Sequence, residues 1–375
     1  DKNATFLDLI FESTTMFRFA GLARGYVLGL LTNFPDKANA VNERIDQFQD
    51  ELPEVAFEVF MVGGDSTKAL QRTLQLTDNS KLPITCLGAF SFGVGPRFLT
   101  QEEYKQVLIR LMTTAESGDP AAIRIAVQFL AFRLDEESKN KRRSVLEHPD
   151  IEPLAWRLVE IGGKDNGSQE LYWWAQLLRA LTTRNADRAA RVAAAGLVGE
   201  SLQKELCEEI LISLADKDPK MVMESIGEVV LDKKLGEHFY VGTYRSLIQS
   251  LPAEIVIKWI KEHGVEAARR LARHLPTPYV DWSGNPAVPP LTEFVLKTFE
   301  DDDRTFSEFC VGVHGFQFYS GDIAAQHEKE AETARRFLDH RLRRVREWAN
   351  LELESSLHLA ERWRQTEEEL NIEGS

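Results

Sequence analysis

The chain has few cysteines for its length. Its 375 residues include three, Cys86, Cys207 and Cys310, which are far apart. This spacing fits neither a disulfide framework nor the CxxC pairs of a structural zinc site. Because isolated cysteines with apolar neighbours are typical of a reducing compartment, the sequence predicts a cytoplasmic protein in which Cys86 and Cys207 are buried and unbridged.

Positive charge and long apolar runs are also scarce. Lys and Arg number 45 against 59 Asp and Glu, which leaves a formal net charge of −14. A net anion repels a phosphate backbone, so the sequence favours a protein partner over nucleic acid. No apolar stretch reaches the roughly 20 residues that a membrane helix needs, so we expect no membrane partner. The chain starts at Asp1 without a secretory signal, and we expect it to be a piece of a longer protein.

Recognisable catalytic motifs are missing as well. His327 and Glu328 begin like the HExxH motif of zinc peptidases, but Ala331 stands where the second His ligand belongs. The glycine-rich residues 88–96 lack the Lys-Ser/Thr pair of a phosphate loop. No Gly-x-Ser-x-Gly sequence marks a serine nucleophile. We therefore expect no catalytic, metal or cofactor site in this chain, which favours a binding protein over an enzyme.

Proline, by contrast, recurs at a regular interval. Pro120 and Pro153 are 33 residues apart, and so are Pro219 and Pro252; the midpoint of the gap between these pairs falls beside Asp187. Proline is favoured in the first turn of a helix, and such a period holds two helices of about 12 residues with their turns. We predict a helix start within about three residues of each position. We also predict that these helices lie on the same side of successive layers.

The local sequence favours helices and offers no clear strand. Thr100 and Glu103 are predicted to form a capping box at the start of a helix. Apolar residues follow Pro120 and Pro219 at the spacing of one helical face. No stretch alternates apolar and polar residues for long enough to predict a strand. The sequence therefore predicts an all-α protein.

The residues around the first of these prolines resemble the start of a HEAT repeat, a family in which an Asp caps the first turn, a Pro follows, and an Arg and an Ala recur on the inner face. The matching residues are Asp119, Pro120, Ile123, Arg124 and Ala126. Looser copies begin at Asp187 and Asp339. The resemblance implies an α-solenoid of antiparallel helix pairs, of the HEAT or armadillo kind, over residues 1–274.

Residues 275–290 interrupt the helical pattern with five prolines. These are Pro276, Pro278, Pro286, Pro289 and Pro290. A helix cannot run through that density, so we predict an ordered loop or domain boundary here, followed by a C-terminal helical module at residues 291–375. Because a large aromatic ring gains from burial, we expect Tyr279 and Trp282 to pack against the repeat array; the alternative is that they bind a partner.

The C-terminal module is predicted to contain long polar helices. Asp322 caps the first, and the second runs from His340 to about Leu370. A basic cluster lies between and within them, comprising Arg335, Arg336, Arg341, Arg343, Arg344 and Arg346. Such mixed charge is typical of a solvated cap on a repeat array. Together with Tyr279 and Trp282, the candidate binding residues are Phe316, Phe318 and Tyr319.

Two functions remain open from the sequence. The first is a protein-interaction scaffold or sensor within a larger protein, because stacked repeats build a long binding surface without catalytic residues. Residues 309–338 resemble the tails of large helical-repeat bacterial proteins, some tied to phage defence, which implies a bacterial source and an antiviral role. The second is a nucleic-acid-binding or nucleic-acid-processing protein similar to HEAT-like DNA glycosylases. A positive stripe along the repeats would favour the second function, and a mixed or acidic surface the first.

Overall fold

The computed structural model describes residues 20–62, 66–91, 99–139, 144–162, 168–198, 201–232, 245–314 and 322–373. Helices dominate these ranges, and the only sheet within them has two short strands. The all-α prediction is confirmed. Contacts divide the chain into two compact units, Asp1–Arg184 and Asn185–Ser375. The domain limits expected at residues 274 and 290 stay predictions.

The first unit contains eight helices within its described residues. They are α1 (Ala20–Asn33), α2 (Ala38–Phe48), α3 (Pro53–Phe60), α4 (Ser66–Asp78), α5 (Gln101–Glu116), α6 (Pro120–Lys139), α7 (Ile151–Gly162) and α8 (Ser168–Thr182). Short 3₁₀ turns lie at Pro35–Lys37, Ile84–Phe90 and Val145–Glu147. Helix α3 packs against α1, α2 and α4, while α5 packs against α6 and α7, and α6 against α8.

Side-chain hydrogen bonds fix one end of α5 and one end of α6. Thr100 and Glu103 form the predicted capping box at the start of α5. The buried carboxylate of Glu137 accepts a hydrogen bond from Arg133 Nε at 2.7 Å and another from the Val145 N–H at 2.7 Å. Glu137 therefore ties the 3₁₀ turn after α6 to that helix, and its buried charge is compensated by the guanidinium.

Helices start where the proline pattern predicts them. Pro120 opens α6 and Pro219 opens a helix of the second unit, while α7 begins at Ile151. The helices expected beside Asp187 and Pro252 begin one residue away, at residues 186 and 253. All five predicted starts are confirmed.

The prediction that these helices share one side is wrong in the first unit. Helix α6 packs against α8, and α5 packs against α7, so that alternate helices form two rows. The helix that opens at Pro120 is in one row and the helix that opens at Ile151 is in the other. The cause is the length of α6, which spans 20 residues. Within the described residues, the step from Pro120 to Pro153 therefore holds one long α-helix and a 3₁₀ turn, where two α-helices were expected.

Within its described residues, the second unit begins with five helices. They are α9 (Ala186–Gly196), α10 (Ser201–Ala215), α11 (Pro219–Leu231), α12 (Arg245–Ser250) and α13 (Ala253–Leu271). Helix α11 packs against both α9 and α13, and α10 packs against α9, α11 and α12. The helices that follow the 33-residue period are thus neighbours in this unit, in a row α9–α11–α13.

Small residues let the helices of this row approach closely. Ala189, Ala190, Ala193 and Ala194 of α9 are all fully buried. In α11, a Cβ atom added at Gly227 would lie 2.5 Å from Nε1 of Trp259 on α13. The separation of packed helices depends on the side chains at the contact, so these positions set the spacing of the row.

A hairpin and four helices follow in the rest of the described residues. Strands β1 (Tyr279–Val280) and β2 (Pro286–Ala287) pair antiparallel, after a 3₁₀ turn at Ala272–His274. The helices are α14 (Pro290–Thr298), α15 (Asp303–His314), α16 (Ile323–Arg335) and α17 (Arg343–Glu373). Helix α16 lies along α17, and α15 packs against α13. The two long C-terminal helices and the Asp322 cap agree with the sequence prediction.

Candidate interaction surface

The hairpin between α13 and α14 is closed by its own hydrogen bonds. Asp281 Oδ1 accepts the backbone N–H groups of Ser283 at 2.8 Å and Asn285 at 2.9 Å. The Asp281 N–H donates to the Asn285 carbonyl at 2.9 Å, and the Gly284 N–H donates to the Asp281 carbonyl at 3.0 Å. Gly284 has a φ of +83°, which glycine adopts without steric cost. The turn is therefore held without any contribution from the side chain of Trp282.

The base of the hairpin is anchored to the second unit. Leu275 and Pro278 are buried, and Thr292 Oγ1 of α14 donates a hydrogen bond to the Pro276 carbonyl at 2.6 Å. The prolines restrict the backbone further, which lowers the entropy lost on ordering. The predicted ordered loop at residues 275–290 is thus a docked hairpin.

The prediction that both aromatic residues of this segment pack against the array is wrong. Trp282 is 99% exposed at the tip of the hairpin, and Tyr279 is 53% exposed on β1. The expectation assumed that ring burial was needed to order the loop. The Asp281 turn and the Thr292 anchor supply that order instead, and leave the indole ring in solvent.

The other candidate binding residues are placed differently. Phe316, Phe318 and Tyr319 lie outside the described residues. The adjacent tryptophans of α8 have different surroundings. Trp174 is buried and donates from Nε1 to the Val159 carbonyl at 2.9 Å, whereas Trp173 packs on Phe132 of α6 with ring centroids 4.2 Å apart.

The exposed face of the row α9–α11–α13 carries both signs of charge. Its exposed charged side chains are four basic and five acidic residues. The basic ones are Arg191, Lys220, Lys258 and Lys261, and the acidic ones are Asp187, Glu224, Glu228, Glu254 and Glu262. Several pair along or between helices, as Arg191 does with Asp187 at 3.3 Å. A phosphate backbone would therefore meet a mixed surface here and no positive stripe.

The basic cluster of the C-terminal helices is paired within the molecule. Arg344 is almost buried, and it donates to the Glu300 carbonyl at 2.6 Å and to Asp303 at 2.5 Å. Arg343 donates to the Glu300 side chain at 2.9 Å, and Arg346 donates to the His340 carbonyl at 2.7 Å. Further ion pairs join Arg335 and Arg336 to Glu332, and Arg341 to Glu293. Of these arginines, Arg341, Arg343 and Arg344 tie the start of α17 to α14 and to the start of α15.

The described part of the chain was found to contain no metal-binding group of side chains. No group of three or more His, Cys, Asp or Glu side chains within it could hold a metal ion. His327 is buried with its Nδ1 2.9 Å from Glu330 Oε2, and Ala331 is buried beside it on α16. The partial HExxH sequence is therefore part of a helix packing face.

The cysteines are free thiols of low reactivity. Cys207 is buried as predicted, but the prediction for Cys86 is wrong, because this residue of the 3₁₀ turn Ile84–Phe90 is only half-buried. Burial raises the pKa of the Cys207 thiol to about 12. Burial, with Glu54 and Glu58 nearby, raises the pKa of Cys86 to about 11. Neither thiol is thus activated as a nucleophile at neutral pH.

None of the helices in the described ranges is both long and apolar enough to cross a lipid bilayer. Comparison with protein-family models, curated proteins and solved structures finds no significant match to this chain. The likeness to HEAT repeats and to the tails of bacterial helical-repeat proteins therefore rests on the sequence features described above.

Proposed function

We propose that this chain is a helical-repeat interaction scaffold that binds a protein partner through the tip of the β1–β2 hairpin. The observation that carries the proposal is the exposure of Trp282, which is 99% in solvent on a turn closed by Asp281. Tryptophan is among the residues most enriched at the centres of protein interfaces.

The hairpin has the physical properties of a preformed contact. Its backbone is already ordered, so a partner that covers Trp282 restricts little more than the two χ angles of the indole. A buried tryptophan anchor contributes roughly 2–4 kcal/mol to the stability of a protein complex. The only charged group in the turn, Asp281, already accepts two backbone N–H groups. These properties favour an uncharged pocket on the partner.

Strand addition is a poor alternative mode of binding at this hairpin. Each strand has only two residues, and Pro286 in β2 lacks a backbone N–H. A partner strand would therefore find few donors along either edge. Recognition through the ring of Trp282 fits the hairpin better.

The row α9–α11–α13 supports the scaffold part of the proposal. Each of these helices starts near a step of the 33-residue period, and each packs against the next. We propose that they are the first helices of successive HEAT-like antiparallel pairs, with α10 and α12 as second helices. The mixed charge along the row favours a protein partner over the nucleic acid of the alternative function.

Affinity capture tests the proposal. The chain is immobilised and incubated with native lysate from its source, and bound proteins are identified by mass spectrometry. Trp282→Ala should lose a protein that the wild type retains. Phe34→Ala, which alters a 52% exposed ring on the first unit, is the matched control and should retain it. Equal capture by all three baits would rule out the hairpin as the binding site.

A further inference from the structure

The outer face of α17 carries a second set of exposed apolar residues. On this helix, Leu351 is 48% exposed and Leu357 is 42% exposed. They line a shallow depression with Glu354, Ser355, His358 and Glu361. We call these six residues the α17 outer face. All of them belong to one helix, so the depression lies between the rows of side chains on its surface.

The opposite face of α17 is already used. Val345, Trp348, Ala349 and Ala360 are buried, and α16 packs along this helix. On α16, Ala324 and Ala331 are buried at a seven-residue spacing. The outer face is therefore not needed to hold α16 and α17 together. A depression between side-chain rows on a helix is the shape that the ridge of a second helix fills.

Charge on the outer face limits what that second helix can be. Its two carboxylates, Glu354 and Glu361, are exposed and lie seven residues apart, which is two helical turns or about 10.5 Å. The face itself includes no Lys or Arg, and Arg362 lies next to its C-terminal edge. A second copy of this chain would bring the same carboxylates and would be repelled. A basic residue on each of two successive partner turns would be attracted.

We infer that the α17 outer face binds an amphipathic helix of a protein partner that carries leucine-type side chains flanked by lysine or arginine two turns apart. The leucines cover Leu351 and Leu357, and the basic groups lie opposite Glu354 and Glu361. The inference shares with the proposed function the role of a protein-binding scaffold. It uses a different surface, so each can fail while the other holds.

Binding of a designed peptide tests the inference directly. The probe is a fluorescein-labelled, end-capped peptide of about 18 residues, long enough to form a helix on binding, with a leucine stripe and lysines seven apart. A second peptide has glutamate in place of each lysine. Fluorescence anisotropy with the full chain at low salt should show saturable binding of the lysine peptide and none of the glutamate peptide.

Two charge-reversed variants locate the site. Glu354→Lys with Glu361→Lys should weaken binding of the lysine peptide roughly tenfold, because each attraction becomes a repulsion. Glu224→Lys with Glu228→Lys makes the same change in net charge on the exposed face of α11 and should bind as the wild type does. Both pairs of side chains are exposed, so circular dichroism should show unchanged folding.

Three results would overturn the inference. They are absence of saturable binding by the wild type, equal weakening in the two variants, and retention of affinity when Leu351 and Leu357 are both changed to Ala. Equal weakening would mean that the peptide responds only to net charge. Trp282→Ala serves as a further control. It should bind the peptide normally, which separates this surface from the hairpin.

Discussion

The Arg269 guanidinium binds both oxygens of the Asp302 carboxylate. Its Nε donates to Oδ2 at 2.9 Å and its Nη2 donates to Oδ1 at 2.6 Å. Asp302 also accepts the Thr305 N–H at 2.9 Å and its hydroxyl at 2.5 Å. The carboxylate thus joins the end of α13 to the start of α15. The sequence does not reveal this pair, because a partner 33 residues away leaves no local signal.

Removal of this carboxylate should destabilise the second unit. Asp302→Ala leaves Arg269 and the start of α15 without their acceptor, and we expect a loss of about 1–2 kcal/mol in the free energy of unfolding. Asp301→Ala is the matched control, because the neighbouring side chain is fully exposed. Urea denaturation followed by circular dichroism measures both. Equal midpoints for the two variants would contradict the role of Asp302.

The same ion pair should make stability depend on acid pH. The hydrogen bonds from Arg269, and then those from Thr305, hold the pKa of Asp302 well below its ordinary value. Below a pH of about 4 the unfolded chain therefore binds more protons at this position than the folded chain. The free energy of unfolding then decreases as the pH is lowered. The stability difference between wild type and Asp302→Asn should be constant near neutral pH and shrink below about pH 4. A difference that grows on acidification would contradict this.

Close contact at Gly312 should make α15 intolerant of a larger side chain. A Cβ atom added there would overlap the carbonyl oxygen of Arg273. Because backbone atoms must move to relieve this overlap, we expect Gly312→Ala to lower the free energy of unfolding by about 3 kcal/mol. Gly25→Ala on α1 has open space around the added methyl group. It should raise stability by about 0.5–1 kcal/mol, since alanine favours the helix.

The thiols should react slowly and in a defined order. Cys207 is buried and Cys86 half-buried, and the pKa values of both thiols are far above neutral pH. With a maleimide reagent at pH 7, we expect labelling at Cys86 to precede labelling at Cys207, and both to accelerate strongly in denaturant. Peptide mapping by mass spectrometry assigns the sites. Faster labelling at Cys207 in the native protein would contradict its burial.

Helix type and helix starts were predictable because their signals are local. Pro120, Pro219 and the Thr100–Glu103 capping box each act within one helical turn, so the sequence alone places them. Which helices of the first unit pack side by side was not predictable from the same prolines. A fixed spacing does not distinguish one helix of 20 residues from two shorter helices with their turns.

The exposure of Trp282 was the least predictable feature of the candidate site. Tryptophan side chains are highly buried on average, and the expectation that Trp282 is buried followed that average. The sequence does contain a signal for the turn, because Asp281 can accept hydrogen bonds from the backbone of the residues up to Asn285.

The pairing of the basic cluster was not predictable either. The ion pairs of Arg341 with Glu293 and of Arg343 with Glu300 join residues more than 40 positions apart, and a basic run in a sequence does not reveal such pairing.

The role of Trp282 is tested most directly by isothermal titration of a captured partner into the wild type and into Trp282→Ala, with the unfolding free energy of each protein measured in parallel. We predict equal stability, because the ring is in solvent, and a roughly 30-fold or greater loss of affinity in Trp282→Ala. Affinities within about twofold of each other, or a destabilised Trp282→Ala protein that still binds, would contradict the claim that this hairpin presents Trp282 to a protein partner.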